Sequence, residues 1–200
     1  MRTISIYHAT LKENIPSILQ HGIVPRGGSF CEHLVEKHGA ATHPSDLKLA
    51  IKRCQRTQGR VFTSGHRPYA VENCRASLEA EADLLRSKLR ESYKRAHNIP
   101  PDIAPDLRTC WTIREQIEQE LKEKHPCSIV TLHVPCDTVP FEYNGKQTEM
   151  PLCTYLETLS LNLREKWPET TDEEVLELLG EITFTHIPKE WIHSVEDLKE

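Results

Sequence analysis

The nine residues Cys127–Pro135, CSIVTLHVP, constrain the fold of this chain more tightly than any other segment. Ile129, Thr131 and His133 alternate with Val130, Leu132 and Val134, the two-residue period of a strand, and the second set is an unbroken apolar row. A row of this kind needs paired strands beside it and a packed layer over it, so the segment reads as a central strand. Thr3–Tyr7 reads as a shorter strand ending at His8, Arg60–Ser64 as another, and Glu181 opens a last one in EITFTHIP.

Helical periodicity fills the intervals. Asn14 is placed to cap a short helix with Pro16 in its first turn, an apolar face of Ile15, Ile18 and Leu19, and Gly22 as its stop. Ser29 and Glu32 have capping-box spacing before a helix that Gly39 ends, and Leu47, Ala50, Ile51 and Cys54 give a further helix its face before Gly59. Val71, Cys74, Leu78, Ala82, Leu85, Leu89 and Tyr93 follow the spacing of one long amphipathic helix, broken by NIPPDIAP. Cys110, Ile113, Ile117 and Leu121 mark the next, and Leu152, Leu156, Leu159 and Leu163 another. In TTDEEVLELLG, Thr171 caps a helix with Glu174 three residues on and Gly180 as its stop. The tail holding Trp191 and Ile192 reads as a turn. Strands and helices mix without repeats or a linker, which implies one α+β domain over residues 1–200.

Composition narrows the class. The 200 residues are 38% apolar with a formal net charge of −5, the balance of a globular domain large enough for a real core. No apolar run approaches the roughly 18 to 20 residues of a membrane span, and MRTISIYHAT has no apolar stretch ahead of a small-residue cleavage site. The expectation is a cytoplasmic protein with no membrane partner. The seven cysteines lie singly from Cys31 to Cys153 with no CxxC, and are expected as reduced, mostly buried thiols. Cys31, His33, His38 and His43 include ligand types, but their spacing fits no usual zinc pattern, and no metal site is expected.

Between Lys48 and Arg67 the basic residues Lys48, Lys52, Arg53, Arg56, Arg60 and Arg67 occur with no Asp or Glu among them. Such a stretch is either the solvated face of a helix with its exit loop or an anion-binding patch. Arg60 and Arg67 bracket the second strand and are expected near the mouth of a cleft there.

The chain has no GxGxxG, P-loop, HExxH or GxSxG, which removes the commonest nucleotide, zinc-protease and hydrolase signatures. Two strand boundaries carry the remaining chemistry. His8 stands where a strand gives way to the polar ATLKEN, with the backbone of Ala9 and Thr10 free to hydrogen bond. Glu181 stands on the first residue of a strand, a carboxylate held on a rigid element. Both are expected on one side of adjacent strands, within reach of one dinucleotide.

Taken in order, IYHATLKENIPSILQHGIVP, GRVFTSGHRPYAVENC and GEITFTHIPKEWI resemble the three motifs of ADP-ribosyltransferases of the diphtheria-toxin and poly(ADP-ribose)polymerase type. These motifs cover roughly a third of the chain. The resemblance implies a split β-sandwich with peripheral helices, a helical insertion at about 76–126, and NAD as co-substrate in the cleft between two small sheets. It implies transfer of ADP-ribose with release of nicotinamide. By position, His8 would bond the adenosine ribose, the Ala9 backbone would clamp the nicotinamide amide, Thr10 would support that loop, and Glu181 would bind the 2′-hydroxyl of the nicotinamide ribose. His8 and Glu181 are the catalytic pair on this basis, and Arg26 is counted among the cofactor-binding residues.

The middle motif departs from the family. Alignment through Phe62 and Ala70 puts Glu72 or Asn73 where the family stacks nicotinamide on a tyrosine. Tyr69 is assigned the stacking, with another aromatic or an altered pocket as the alternatives. Two further readings stand beside the transferase. One is an RNA 2′-phosphotransferase of the same fold, which would use Arg26, His66 and Arg67 and leave Glu181 unexplained. The other is a catalytically silent module that binds NAD, ADP-ribose or a partner protein. The acceptor is expected to be nucleic acid through Lys52, Arg53 and Arg56, and otherwise a protein or small molecule.

Overall fold

The structure, a computed structural model, describes residues 2–25, 45, 46, 48, 59–96, 98 and 107–198. The chain gathers into two compact units, residues 1–25, 60–74 and 127–200 in one and residues 26–59 and 75–126 in the other. The second unit therefore begins beside the expected insertion boundary and also takes in 26–59. The two helices expected between Ser29 and Gly59, and with them Arg26, Lys52, Arg53, Arg56 and the Cys31–His43 set, lie outside the described residues apart from Ser45, Asp46, Lys48 and Gly59.

The first unit is α+β and holds the sheet. Its strands are β1 (Thr3–Leu11), β2 (Val61–Ser64), β3 (Cys127–Pro135), β4 (Glu142–Tyr143), β5 (Lys146–Gln147), β6 (Glu181–Phe184) and β7 (Ile192–Asp197). They form one antiparallel sheet of seven strands in the order β5-β4-β6-β2-β1-β3-β7. The alternation that singled out Cys127–Pro135 has its physical cause in this order, because β3 lies between β1 and β7. One apolar face, Ile4, Ile6, Val61, Val130, Leu132, Val134, Ile182 and Phe184, forms the core together with Ile18 of α1 (Ile15–His21), Ile23, Leu152, Leu179 and Ile187. Side chains of this size each contribute about 1.5–3 kcal/mol when fully buried.

The two ends of the chain meet in that core. Ile23 and Ile187 exchange backbone hydrogen bonds of 2.8 and 3.0 Å. Gly22, which ends α1 at φ +79°, is required there, since a Cβ would stand 2.3 Å from the Ile187 carbonyl oxygen.

Three local expectations change, and one hairpin is added. β1 continues past His8 to Leu11, because Ala9, Thr10 and Leu11 pair with Ile129, Ser128 and Cys127 and this tertiary pairing overrides a polar sequence. Asn14 does not cap α1 through its side chain; its amide donates to the Thr10 hydroxyl at 2.9 Å. The tail forms a short 3₁₀ turn, Lys189–Trp191, followed by β7 instead of ending in a turn. Between β3 and the helix α4 (Leu152–Lys166) a hairpin, β4–β5, turns on Asn144 and Gly145, both at positive φ. By contrast, Thr171 and Glu174 form both bonds of a capping box at the start of α5 (Asp172–Glu177).

The long amphipathic segment is one helix, α2 (Arg67–Ala96), whose first turns belong to the first unit and whose remainder belongs to the second. In the second unit α2 is joined by α3 (Leu107–Lys124), and Ala82, Leu84 and Ser87 of α2 are buried while Leu89 is exposed. Ser87 and Arg90 both donate to Asp46, at 2.7 and 3.1 Å.

Candidate functional site

β1 is paired very differently on its two sides. With β3 it forms nine consecutive pairs, Thr3↔Pro135 through Leu11↔Cys127. With β2 the pairing is one residue deep, Tyr7↔Ser64. Beyond it the His8 ring takes over, its Nδ1 donating to the Phe62 carbonyl oxygen at 2.8 Å. That bond leaves Nε2 as the acceptor of a neutral imidazole. Burial holds the His8 pKa below its usual value, and the bond to Phe62 opposes part of that shift.

Backbone groups on an antiparallel strand turn alternately to the neighbours on either side. Thr183 and Glu181 accept from Phe141 and Asn144 on the β4 side, so Ile182 faces Thr63, and Phe62 and Ser64 face β1. Tyr7, opposite Ser64, faces β2 in return. Ala9, two residues on, turns its N–H and C=O to that same side, where β2 offers no further ladder partner. The sheet is therefore one hydrogen-bonded layer in which the β1–β2 ladder lapses beside His8 and Ala9.

Glu181 is anchored at the opposite edge of β2, where it pairs with Ser64. The turn after β2 is tied to the residues before Glu181: the Ser64 hydroxyl donates to the Leu179 carbonyl at 3.1 Å, and the Gly65 N–H donates to the same oxygen at 3.0 Å. Gly65 packs so closely that a Cβ would lie 2.1 Å from the Leu176 carbonyl oxygen. From the other side Asn144 donates to the Glu181 carbonyl at 2.9 Å, and its side chain fills the space a Cβ on Gly180 would need. Glu181 is thus fixed by two turns, while its half-buried carboxylate has no hydrogen-bond or ion-pair partner among the described residues.

The expectation that His8 and Glu181 project from one side of adjacent strands is not met. β2 lies between β1 and β6, and Tyr7, Ser64 and Glu181 form one cross-strand row. Alternation puts Ala9 on the face of that row and His8 in the other row, with Ile4, Ile6 and Thr10. His8 lies beside β2 at Phe62, and Glu181 lies across β2 beside Ser64.

Tyr69 is half-buried in the first turn of α2. That turn is held over the Glu181 face of the sheet by Arg67, paired with Glu196 at 2.7 Å, and by Ala70 and Cys74, which are buried. Thr10 lies inside β1 with its hydroxyl bound by Asn14. Neither Arg60 nor Arg67 is free at a cleft mouth: Arg60 pairs with the largely buried Glu142 at 2.7 Å and lies 5.6 Å above the Phe141 ring. A separate cleft of about 600 Å³ opens at the far end of β6, lined by Phe141, Thr148, Glu149, Phe184, His186 and Trp191 among others. None of His8, Ala9, Thr10, Tyr69 or Glu181 lines it.

Sequence reasoning missed the residues that position Glu181. Asn144 carries the clearest unused signal, an Asn-Gly pair in FEYNGKQT of the kind that closes two-residue hairpins. The partnership of Ser64 and Gly65 with Leu179 has no sequence signal. No helix among the described residues is long and apolar enough to cross a membrane. Compared with family models, curated proteins and solved structures, the chain has no match.

Proposed function

We propose that the chain transfers ADP-ribose from NAD to an acceptor and releases nicotinamide, using the opening beside β1 as its site. The observation that carries this reading is the pairing of β1 with β2 at Tyr7↔Ser64 alone, with the His8 ring bound to Phe62 and the Ala9 peptide turned into the gap. One edge of a primary carboxamide presents an N–H donor beside its C=O acceptor, the complement of the Ala9 C=O and N–H. The His8 Nε2 is an acceptor suited to a ribose hydroxyl. Tyr69 is the nearby aromatic for the nicotinamide ring. Loss of nicotinamide develops positive charge on the ribose, and a carboxylate anchored in advance at Glu181 stabilises that charge where it appears, an effect of several kcal/mol. The acceptor is proposed to carry phosphate and to approach Lys52, Arg53 and Arg56.

A second reading, a silent module that binds NAD or ADP-ribose, is favoured by the placement of His8 and Glu181 in alternate rows. One experiment separates the two. Incubation with labelled NAD should give nicotinamide release and label on the protein or an added acceptor. Glu181→Gln should cut release by about 100-fold or more and leave NAD affinity within a few-fold. Binding without release by the unmodified protein selects the silent module, and removal of a 2′-phosphate from RNA selects the phosphotransferase.

A further inference from the structure

The chain leaves the sheet-bearing unit after Cys74, in α2, and re-enters it at Cys127, the first residue of β3. These two residues are 53 positions apart, yet their sulfurs lie 2.7 Å from each other. That separation is only about 0.7 Å longer than a disulfide bond. Both cysteines sit on anchored backbone. Cys74 is buried on a helix whose first turn is tied to β7 by the Arg67–Glu196 pair, and the Cys127 carbonyl accepts from Leu198 at 3.1 Å. Cys153 points its thiol at the Cys136 carbonyl, and burial together with Cys136 pushes its pKa up to about 11, so little of it is thiolate near neutral pH.

We propose that Cys74 and Cys127 are a thiol-oxidation site that converts to an intramolecular disulfide at two of the four points where the chain passes between the units. The co-reactant is a low-molecular-weight disulfide such as oxidised glutathione. Cys127, the more exposed of the two, gives up its proton and attacks one sulfur of the oxidant, breaking that S–S bond and releasing one small thiolate. Cys74 then loses its proton and attacks the Cys127 sulfur of the mixed disulfide, releasing the second small thiolate. Two protein thiols lose two electrons in all, the oxidant gains them, and the two protons go to the released thiolates. The new bond ties the exit in α2 to the entry of β3. It is independent of whether the chain uses NAD.

The test uses the whole chain, reduced and then exposed to oxidised glutathione at neutral pH. Remaining thiols are alkylated and the protein is digested without reductant for mass spectrometry. The expected result is a Cys74–Cys127 linked peptide, lighter than its two parts by two hydrogens, formed at least ten-fold faster than any other linkage and lost on addition of dithiothreitol. Cys74→Ser should stop at a stable glutathione adduct on Cys127. Full alkylation of both residues after exposure, or linkage of either one mainly to a different cysteine, would overturn the proposal.

Discussion

The two sides of β1 differ sharply. Toward β3 all nine residues of the strand are paired, and the Ile4, Ile6, Val130, Leu132 and Val134 side chains behind that ladder are buried. Toward β2 one pair forms and a histidine side chain supplies the next hydrogen bond. The difference teaches that one strand serves two purposes. Its closed side contributes stability, and its open side leaves polar groups available on a backbone that the closed side holds rigid. Substitutions on the two sides should therefore separate stability from activity.

The largest effect is expected on the closed side. Leu132→Ala should lower unfolding free energy by about 2–5 kcal/mol in denaturant titration, because a fully buried side chain in a strand paired on both sides leaves a cavity that cannot collapse. A loss below about 1 kcal/mol would break the distinction. Glu181→Gln, by contrast, should leave unfolding unchanged within about 0.5 kcal/mol while nicotinamide release falls. If both variants lose stability equally, Glu181 is a packing residue.

Gly65→Ala sharpens the comparison, since it touches no ligand in this account. The added Cβ meets the Leu176 carbonyl oxygen at 2.1 Å and the Leu179 Cβ at 2.6 Å, so the turn that fixes Glu181 has to move. The expected cost is about 1–3 kcal/mol of stability together with a loss of release rate. Unchanged kinetics in a measurably destabilised variant would show that the Ser64–Leu179 contact does not set the position of Glu181.

A smaller effect follows from His8. Its pKa is lowered in the folded chain from the ordinary 6.5, chiefly by burial. The unfolded chain then takes up a proton that the folded chain refuses, so this contribution is intact above pH 6.5 and is lost as pH falls through and below it. Unfolding free energy should decline between about pH 7 and 5, and His8→Asn, which retains a donor for Phe62, should flatten part of that decline. The same slope in both proteins would assign it to other histidines. The smallest effect belongs to the basic stretch: reversing Lys52, Arg53 and Arg56 to Glu should weaken modification of a nucleic-acid acceptor in a salt-sensitive way and leave NAD hydrolysis unchanged. Modification that is insensitive to both the reversal and salt points to a protein or small-molecule acceptor.

How much of this was legible in the sequence depends on how local the cause is. The period of Cys127–Pro135 and the Thr171–Glu174 box are set by neighbouring residues and form where expected, whereas the strand that opens at Glu181 stops at Phe184, halfway through EITFTHIP. β4 and β5 are two residues long, too short to show a period, and only Asn144–Gly145 betrays them. β7 is a polar edge strand, and His8–Ala9–Thr10 is a polar end of β1; both depend on pairing with β3. For the proposed site the sequence suggests two residues, His8 and Glu181, but not their geometry. Which face each occupies depends on the register carried through β2, where a shift of one residue exchanges the faces.

The central claim is that the β2 side of β1 is open and receives NAD, and backbone amide NMR tests it most directly. In the free protein the Ala9 N–H should exchange with solvent faster than those of His8 and Thr10, which face β3. On addition of NAD the Ala9 amide and the Glu181 signals should shift together and the Ala9 exchange should slow, with the Ile6–Leu132 region unmoved. Equal protection of His8, Ala9 and Thr10 in the free protein, or NAD shifts confined to Phe141, Thr148, His186 and Trp191, would contradict the account.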